Sequence, residues 1–590
     1  MRAVFYFPAR TYRVALLLLM LLTGASAVRA QAPAWQTAVP AGRTDFGAAL
    51  TNGYSVSASA ADGNGNIYLA GAFAGAATFG NVTLTSSGSS TSTDLFVAKW
   101  SRTTGNFVWA QRASAASGQP GGQVAALAVS GANVYLAGSF SGTLNFGGVA
   151  LTSGTASTDV FVAKLTDAGT SGSFGWARRT AGNGYSLNAA ALAANGSNVY
   201  LTGGFTGTAS FGTAAVTSAT TTGQDVYVAK LSDTGAGGSF AWAQRAGGSN
   251  DDYPAAIAVN GTNVYVSGVF YSTTATFGTT SLANAGGNDR DVFVAQLTDA
   301  GPTGSFGPAQ RAGGVGRDRT FANELVATAN AVYLVGDFST NVPLTFGSTS
   351  LPPTANGTIL ARWNPVSGAF DWAQPAPGAY PNYAYYSTLA ASGTSVYVGG
   401  GFRGTVAVGG TTLTSLGAGG NGDNDALVAK LTDNGSSASV GWVQTAAGTS
   451  DDGVGAIFLS GTTVYTLGTT RSASVAFGSL TLTNAYYSSS SSAATGGFLA
   501  SLTDATLTAT RPAGTEAALA LYPNPAYGIT TVRLPGGPAH TLTLADALGR
   551  EVRRYPVPTG AAETALDLRG LPPGLYLLRG EADSQRLVLE

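Results

Sequence analysis

The eight residues NVYLAGSF at 133–140 are one of seven copies of the same segment. NIYLAGAF begins at residue 66, NVYLTGGF at 198, NVYVSGVF at 263, AVYLVGDF at 331, SVYVGGGF at 395 and TVYTLGTT at 463. Their tyrosines, Tyr68, Tyr135, Tyr200, Tyr265, Tyr333, Tyr397 and Tyr465, fall 64 to 68 residues apart. A fixed period of this length means stacked copies of one supersecondary unit, whose apolar faces are buried only against neighbouring copies. That requirement overrides any domain count taken from length.

One unit reads as strands throughout. Residues 124–140 are two apolar runs joined by a Ser-Gly-Ala turn, and LNFGGVALTS is a short hairpin around Gly147-Gly148. DVFVAKL (159–165) and FGWARRT (174–180) are two further strands, rich in the Val, Tyr, Phe and Thr that suit a pleated surface. Each unit is therefore expected to be four main strands plus one hairpin. The strands are apolar on both alternations, so each sheet is expected to be packed on both sides. A glycine recurs at Gly71, Gly138, Gly203, Gly268, Gly336, Gly400 and Gly468. It marks a close approach, expected where neighbouring sheets crowd.

The fourth strand bears on whether the stack closes. Its tryptophans are Trp109, Trp176, Trp242, Trp372 and Trp442, with Pro308 in the remaining place. A further copy, WQTAVPAG, stands alone at Trp35, and the last unit ends after GFLASLTDA with no tryptophan strand following. A strand orphaned at the start and one missing at the end predict a ring closed by the N-terminal strand. The expected fold is all-β: a seven-bladed β-propeller over residues 31–507, then a linker at 508–518 and a small β-sandwich at 519–590.

Residues 1–30 read as a signal peptide: Arg2, Arg10 and Arg13 precede the apolar run VALLLLMLL, with cleavage expected after Ala30. No later stretch is long and apolar enough to cross a bilayer as a helix. Removing those residues leaves 25 basic against 30 acidic side chains, with four lysines. That balance is poor for nucleic acid. The absence of cysteine excludes disulfides and thiolate chemistry.

The recurring pattern DVFVAKL … WAxRAGG … NVYLxGxF resembles the seven-bladed propeller repeats of bacterial exported proteins, a resemblance that implies a fold and no single activity. The tail resembles the type A C-terminal sorting domain of the type IX secretion system of Bacteroidetes. Pro523, Asn524, Pro525 and Gly528 match its start, Gly574 and Tyr576 its turn and strand, and Arg586 its basic, apolar last strand. This resemblance implies export to the outer surface or medium, with the secretion machinery as a partner.

Little in the repeats points to catalysis. The single histidine, His540, is in the tail, and the repeats hold one glutamate, Glu324. A serine triad or a histidine-zinc site cannot be assembled there. All four lysines, Lys99, Lys164, Lys230 and Lys430, share one repeat position, five residues after an aspartate. That odd offset puts the two on opposite faces, so each lysine is expected to meet a partner in a neighbouring unit. DGNGN at 62–66 has alternating oxygen donors but reads as a turn, and no cofactor or metal is expected. The loops before each first strand vary most and gather Asp251, Asp252, Tyr253, Tyr380, Tyr383 and Tyr385, a mixture suited to a glycan or a surface protein. The function expected is a non-enzymatic binding or scaffold module. The alternatives are a polysaccharide lyase or hydrolase using Asp, Arg and Tyr, and a bulk adhesin.

Overall fold

A computed structural model describes residues 32–43, 53–87, 93–116, 121–154, 158–182, 187–286, 289–315, 321–338, 343–352, 357–378, 384–417, 423–485, 487, 495–507, 520–533, 540–546, 550–558, 560–561, 563–579 and 584–590. The expected signal peptide and linker lie outside them. The chain divides into two compact units, residues 1–511 and 512–590. Among the described residues no helix is long and apolar enough to cross a membrane.

Each repeat builds an antiparallel four-stranded meander. In the second repeat the strands are Gly121–Ser130, Asn133–Ser141, Asp159–Asp167 and Gly172–Gly182, paired in that order. The second and third strands are buried on both faces. The small hairpin, Thr143–Phe146 with Val149–Thr152, does not extend its own sheet. It pairs with Asn106–Ala115, the outer strand of the first repeat. Three later hairpins do the same to the sheet before them. An outer edge that would otherwise offer free backbone groups is thereby covered.

The apolar cores lie between sheets. Seven clusters each combine residues of two consecutive repeats. One joins Tyr465, Leu467 and Leu499 of the last repeat to Tyr54, Ile67 and Phe96 of the first. The last sheet takes its outer strand from the N-terminus: Trp35–Arg43 runs antiparallel to Gly496–Thr503.

Two sequence expectations need correction. Trp35 does not occupy the register of the other fourth-strand tryptophans. Trp109 lies opposite Lys99, whereas Trp35 lies opposite Leu502 and it is Thr37 that faces Ser501. Trp35 thus takes the register of Phe107, packing edge-on to Phe477 at 5.3 Å as Phe107 packs on Phe79 at 5.6 Å. Its indole N–H donates to Thr445 O of the sixth repeat at 3.0 Å. The recurring glycine, too, has a different cause. A Cβ on Gly138 would fall 1.9 Å from Gln123 O and 2.8 Å from the Phe161 ring, both in its own sheet. Nearby, a register shift between Val124 and Ala126 bulges the first strand against its partner.

The lysines do meet neighbouring repeats. Lys99, Lys164, Lys230 and Lys430 ion-pair with Asp167, Asp233, Asp299 and Asp504 at 2.5–2.8 Å. The same aspartates accept the hydroxyls of Tyr68, Tyr135, Tyr200 and Tyr397 at 2.7 Å. They also accept the indole N–H of Trp109, Trp176, Trp242 and Trp442. Asp433 serves Tyr333 and Trp372 in the same way, with Arg362 in the lysine's place. Burial alone would raise the carboxyl of Asp233, but bonds from Lys164, Tyr135 and Trp176 more than offset it and hold the group below the ordinary range.

In the C-terminal unit seven strands share one hydrogen-bonded order: 551–557, 540–546, 574–579, 584–589, 520–527, 529–533, 563–567. The expected sandwich is two sheets made continuous by Ala520–Tyr527, which pairs with Ile529–Arg533 and meets Ser584–Leu589 at Ala526. Leu542, Leu544, Leu566, Leu578 and Leu587 form its core.

Candidate functional site

Two places concentrate residues with something other than packing to do. The first is the approach to the first strand of the fourth repeat. Asp252, expected on an open face, is 1% exposed. Its carboxylate accepts Gly248 N–H at 2.7 Å, the Ser272 hydroxyl at 2.8 Å and Tyr271 N–H at 3.1 Å. It ties the loop down, and burial pushes its carboxyl up to about 6. Asp251 accepts Gln224 N–H with one oxygen and the Tyr253 hydroxyl with the other, at 2.9 and 3.1 Å. Tyr253 is 38% exposed. Its ring stands edge-on to Tyr271, 6.2 Å between centroids and 84° between planes. The two rings and Asp251 line a cleft of about 510 Å³ with Thr222, Gly223, Ser249 and Asn250. Burial and then Asp251 push the Tyr253 hydroxyl up to about 12, so it remains a neutral donor at physiological pH.

Tyr271 escaped the sequence reading, though a signal exists. The other copies carry Ala74, Ser141, Thr206, Ser339, Arg403 and Arg471 after the repeat's phenylalanine or threonine, and only the fourth carries an aromatic there. Tyr385 sits in the register of Tyr253 two repeats on and is 39% exposed. Its hydroxyl lies over Gly401 and Gly453, 2.8 and 3.1 Å from where a Cβ would stand. Tyr253 and Tyr385 thus hold equivalent positions in the fourth and sixth repeats. Tyr386, beside it in sequence, is wholly buried and donates to Pro377 O. Tyr380 and Tyr383 lie outside the described residues. Asp62, in the DGNGN turn, accepts the backbone N–H of Asn64 and Asn66 and the Asn66 amide. It is a turn-forming aspartate.

The second place is the start of the C-terminal unit. Pro523 and Pro525 remove two backbone donors from a strand that must hold the chain's last strand. Asn524 holds that strand with its side chain instead, through one donor and one acceptor. Its amide donates to Arg586 O at 2.6 Å, and its carbonyl accepts Val588 N–H at 2.9 Å. Pro523 O accepts the Thr530 hydroxyl at 2.8 Å. Gly528 turns the chain at φ +77°, a left-handed conformation that favours glycine, and its carbonyl accepts Leu568 N–H. Gly574 opens the strand that pairs with Leu589, and Tyr576 is core, its hydroxyl donating to Pro572 O at 2.6 Å. Arg586 is exposed between core residues, with Leu587 and Leu589 buried. Of the residues singled out in sequence, Asn524, Gly574 and Tyr576 hold the terminal strand that carries Arg586.

Residues 520–589 match the secretion system C-terminal sorting domain. The sorting domain marks proteins that the type IX system secretes to the outer cell surface or the extracellular space, so this chain is exported by that route. Its partner in that step is the type IX machinery. No curated protein matches the chain.

Proposed function

We propose that residues 31–507 form a closed seven-bladed β-propeller, carried to the cell surface by the sorting domain, and that it acts there as a non-enzymatic binding module. Closure is supported by the N-terminal strand completing the last sheet and by the apolar cluster shared between last and first repeats. The observation that carries the binding reading is the half-exposed, edge-to-face pair Tyr253–Tyr271 over a cleft whose other walls are hydroxyls, an amide and a carboxylate. Such a surface stacks on the flat face of a sugar ring while its rim takes the hydroxyls. A surface glycan is the favoured ligand class. Asp251 is bound to Gln224 and Tyr253, an arrangement that favours positioning over proton transfer.

The test is a glycan array on the purified chain, followed by titration of any hit with Tyr253→Ala/Tyr271→Ala. Each lost aromatic contact is worth roughly 0.5–1.5 kcal/mol, so the double variant should bind about tenfold or more weakly, with its melting curve nearly unchanged. Binding at native strength would reject this cleft, and a large loss of stability would assign the two rings to packing.

A further inference from the structure

The first strands of all seven repeats line a single cavity of about 420 Å³, separate from the Tyr253 cleft. That volume lies within the roughly 300–1,000 Å³ of small-molecule sites. Its wall is built mainly from small and aliphatic side chains with Phe458 and a few hydroxyls, and among the described residues Glu324 is its only ionisable group.

Register shows how unusual that glutamate is. Glu324 pairs with Val335 at the position where Ala58, Ala126, Ala191, Ala256 and Ala456 stand in other repeats and Thr388 in the sixth. Five alanines clear space around one carboxyl. Its position is set from the next repeat: Oε2 accepts Leu389 N–H at 2.7 Å. Thr388, 1% exposed, lies near enough to favour the charged carboxyl, yet its hydroxyl makes no hydrogen bond of good geometry. Burial outweighs the contributions of Thr388 and Leu389 and lifts the carboxyl to about 7, a penalty that a cation in the cavity would relieve. A hard metal ion needs six or more oxygen ligands, whereas this wall offers one carboxylate and four hydroxyl residues of other repeats, Ser57, Ser59, Ser387 and Thr469, with Ser57 and Ser387 already donating to Val124 O and Val454 O. An ammonium on a short methylene chain fits both the carboxylate and the mainly aliphatic wall.

We propose that the cavity is a binding site for small alkylammonium compounds, with Glu324 as the counter-ion and the alanine and leucine wall around the methylene chain. The test uses the full chain with two probes of equal length, 1,5-diaminopentane and its neutral isostere 1,5-pentanediol, followed by calorimetry and thermal shift. The diamine should bind saturably and raise the melting temperature, and the diol should do neither. Glu324→Ala, which installs the side chain of five sister repeats, should weaken the diamine roughly tenfold or more. Equal response to diamine and diol, or no saturable binding by the native chain, overturns the proposal without any variant. Native affinity in Glu324→Ala overturns it as well.

Discussion

Five junctions between consecutive repeats carry an aspartate that accepts bonds from a tyrosine, a tryptophan and a lysine or arginine of the repeat before. The junctions from the fourth repeat to the fifth and from the seventh to the first carry none. At the first of these, Gln296 replaces the lysine, Pro308 the tryptophan and Pro365 the aspartate. At the second the corresponding residues are Ser501, Thr37 and Arg102. A further exchange accompanies both. The third-strand position held by Leu165, Leu231, Leu297 and Leu431 is Trp363 in the fifth repeat and Trp100 in the first. Trp363 packs edge-on to Tyr265 at 6.0 Å, and the Arg102 guanidinium lies 6.0 Å from the Tyr465 ring. Each junction thus receives a tryptophan from one side or the other, and the sixth-to-seventh junction holds two, Trp442 and Trp35. Close packing fixes the volume to be filled, whereas the charged set appears whole or not at all because a lone buried lysine or aspartate is costly.

The strongest way to break this contrast is to orphan a clasp. Lys164 and Asp233 are 8% and 3% exposed. Asp233→Ala should cost about 3–5 kcal/mol by leaving that lysine buried without a partner, read by chemical denaturation. A cost below about 1 kcal/mol would mean the clasps are ornamental. Next in size is the tryptophan exchange. Trp363→Leu should cost about 2–4 kcal/mol through the cavity it leaves. Pro308→Trp in the same chain should recover half or more, a coupling that a double-mutant cycle isolates. Additive losses would show that the two positions do not share one volume.

The smallest effect is in pH. Asp167, Asp233, Asp299 and Asp504 are held below the ordinary carboxylate range, so their contribution persists above about pH 4 and is lost as pH falls through those lowered values. Asp252, Asp452 and Glu324 run the other way, pushed up by burial to about 6, 7 and 7. Their contribution is complete below about pH 4 and declines as pH rises toward 7. Thermal melts across this range should therefore show highest stability near pH 4–5, a decline to about pH 7 and little change above it. A steady rise from pH 4 to pH 7 would contradict the assignment of those three groups.

Most of the architecture was legible because period and alternation are local properties: seven NVYLAGSF copies fix the number of sheets, and two apolar faces place the cores between them. The junction chemistry was half legible. Lysines at one repeat position announced a partner in the next unit, but which aspartate it is depends on how the sheets stack. Tyr68 and Asp167 are 99 residues apart. Trp35 misled because residue type was matched where register decides. Asp252 misled for a similar reason, since a polar loop residue beside Gly247 and Gly248 folds inward when the N–H groups of Gly248, Tyr271 and Ser272 and the Ser272 hydroxyl await it. Tyr271 is harder to read because it follows the second strand, Asn263–Phe270, whereas the variable loops precede the first.

Trp35–Arg43 completes the sheet of the last repeat. Thr37 and Ser501 are directly paired across that sheet, their hydroxyls 2.7 Å apart. The chain has no cysteine, so Thr37→Cys/Ser501→Cys creates the only two thiols, at a spacing suited to a disulfide. On oxidation the double variant should form that bond in nearly every molecule, migrate faster on a non-reducing gel and melt at a higher temperature than its reduced form. Two thiols that stay free under the same conditions, in a chain that is otherwise folded, would contradict closure by the N-terminal strand.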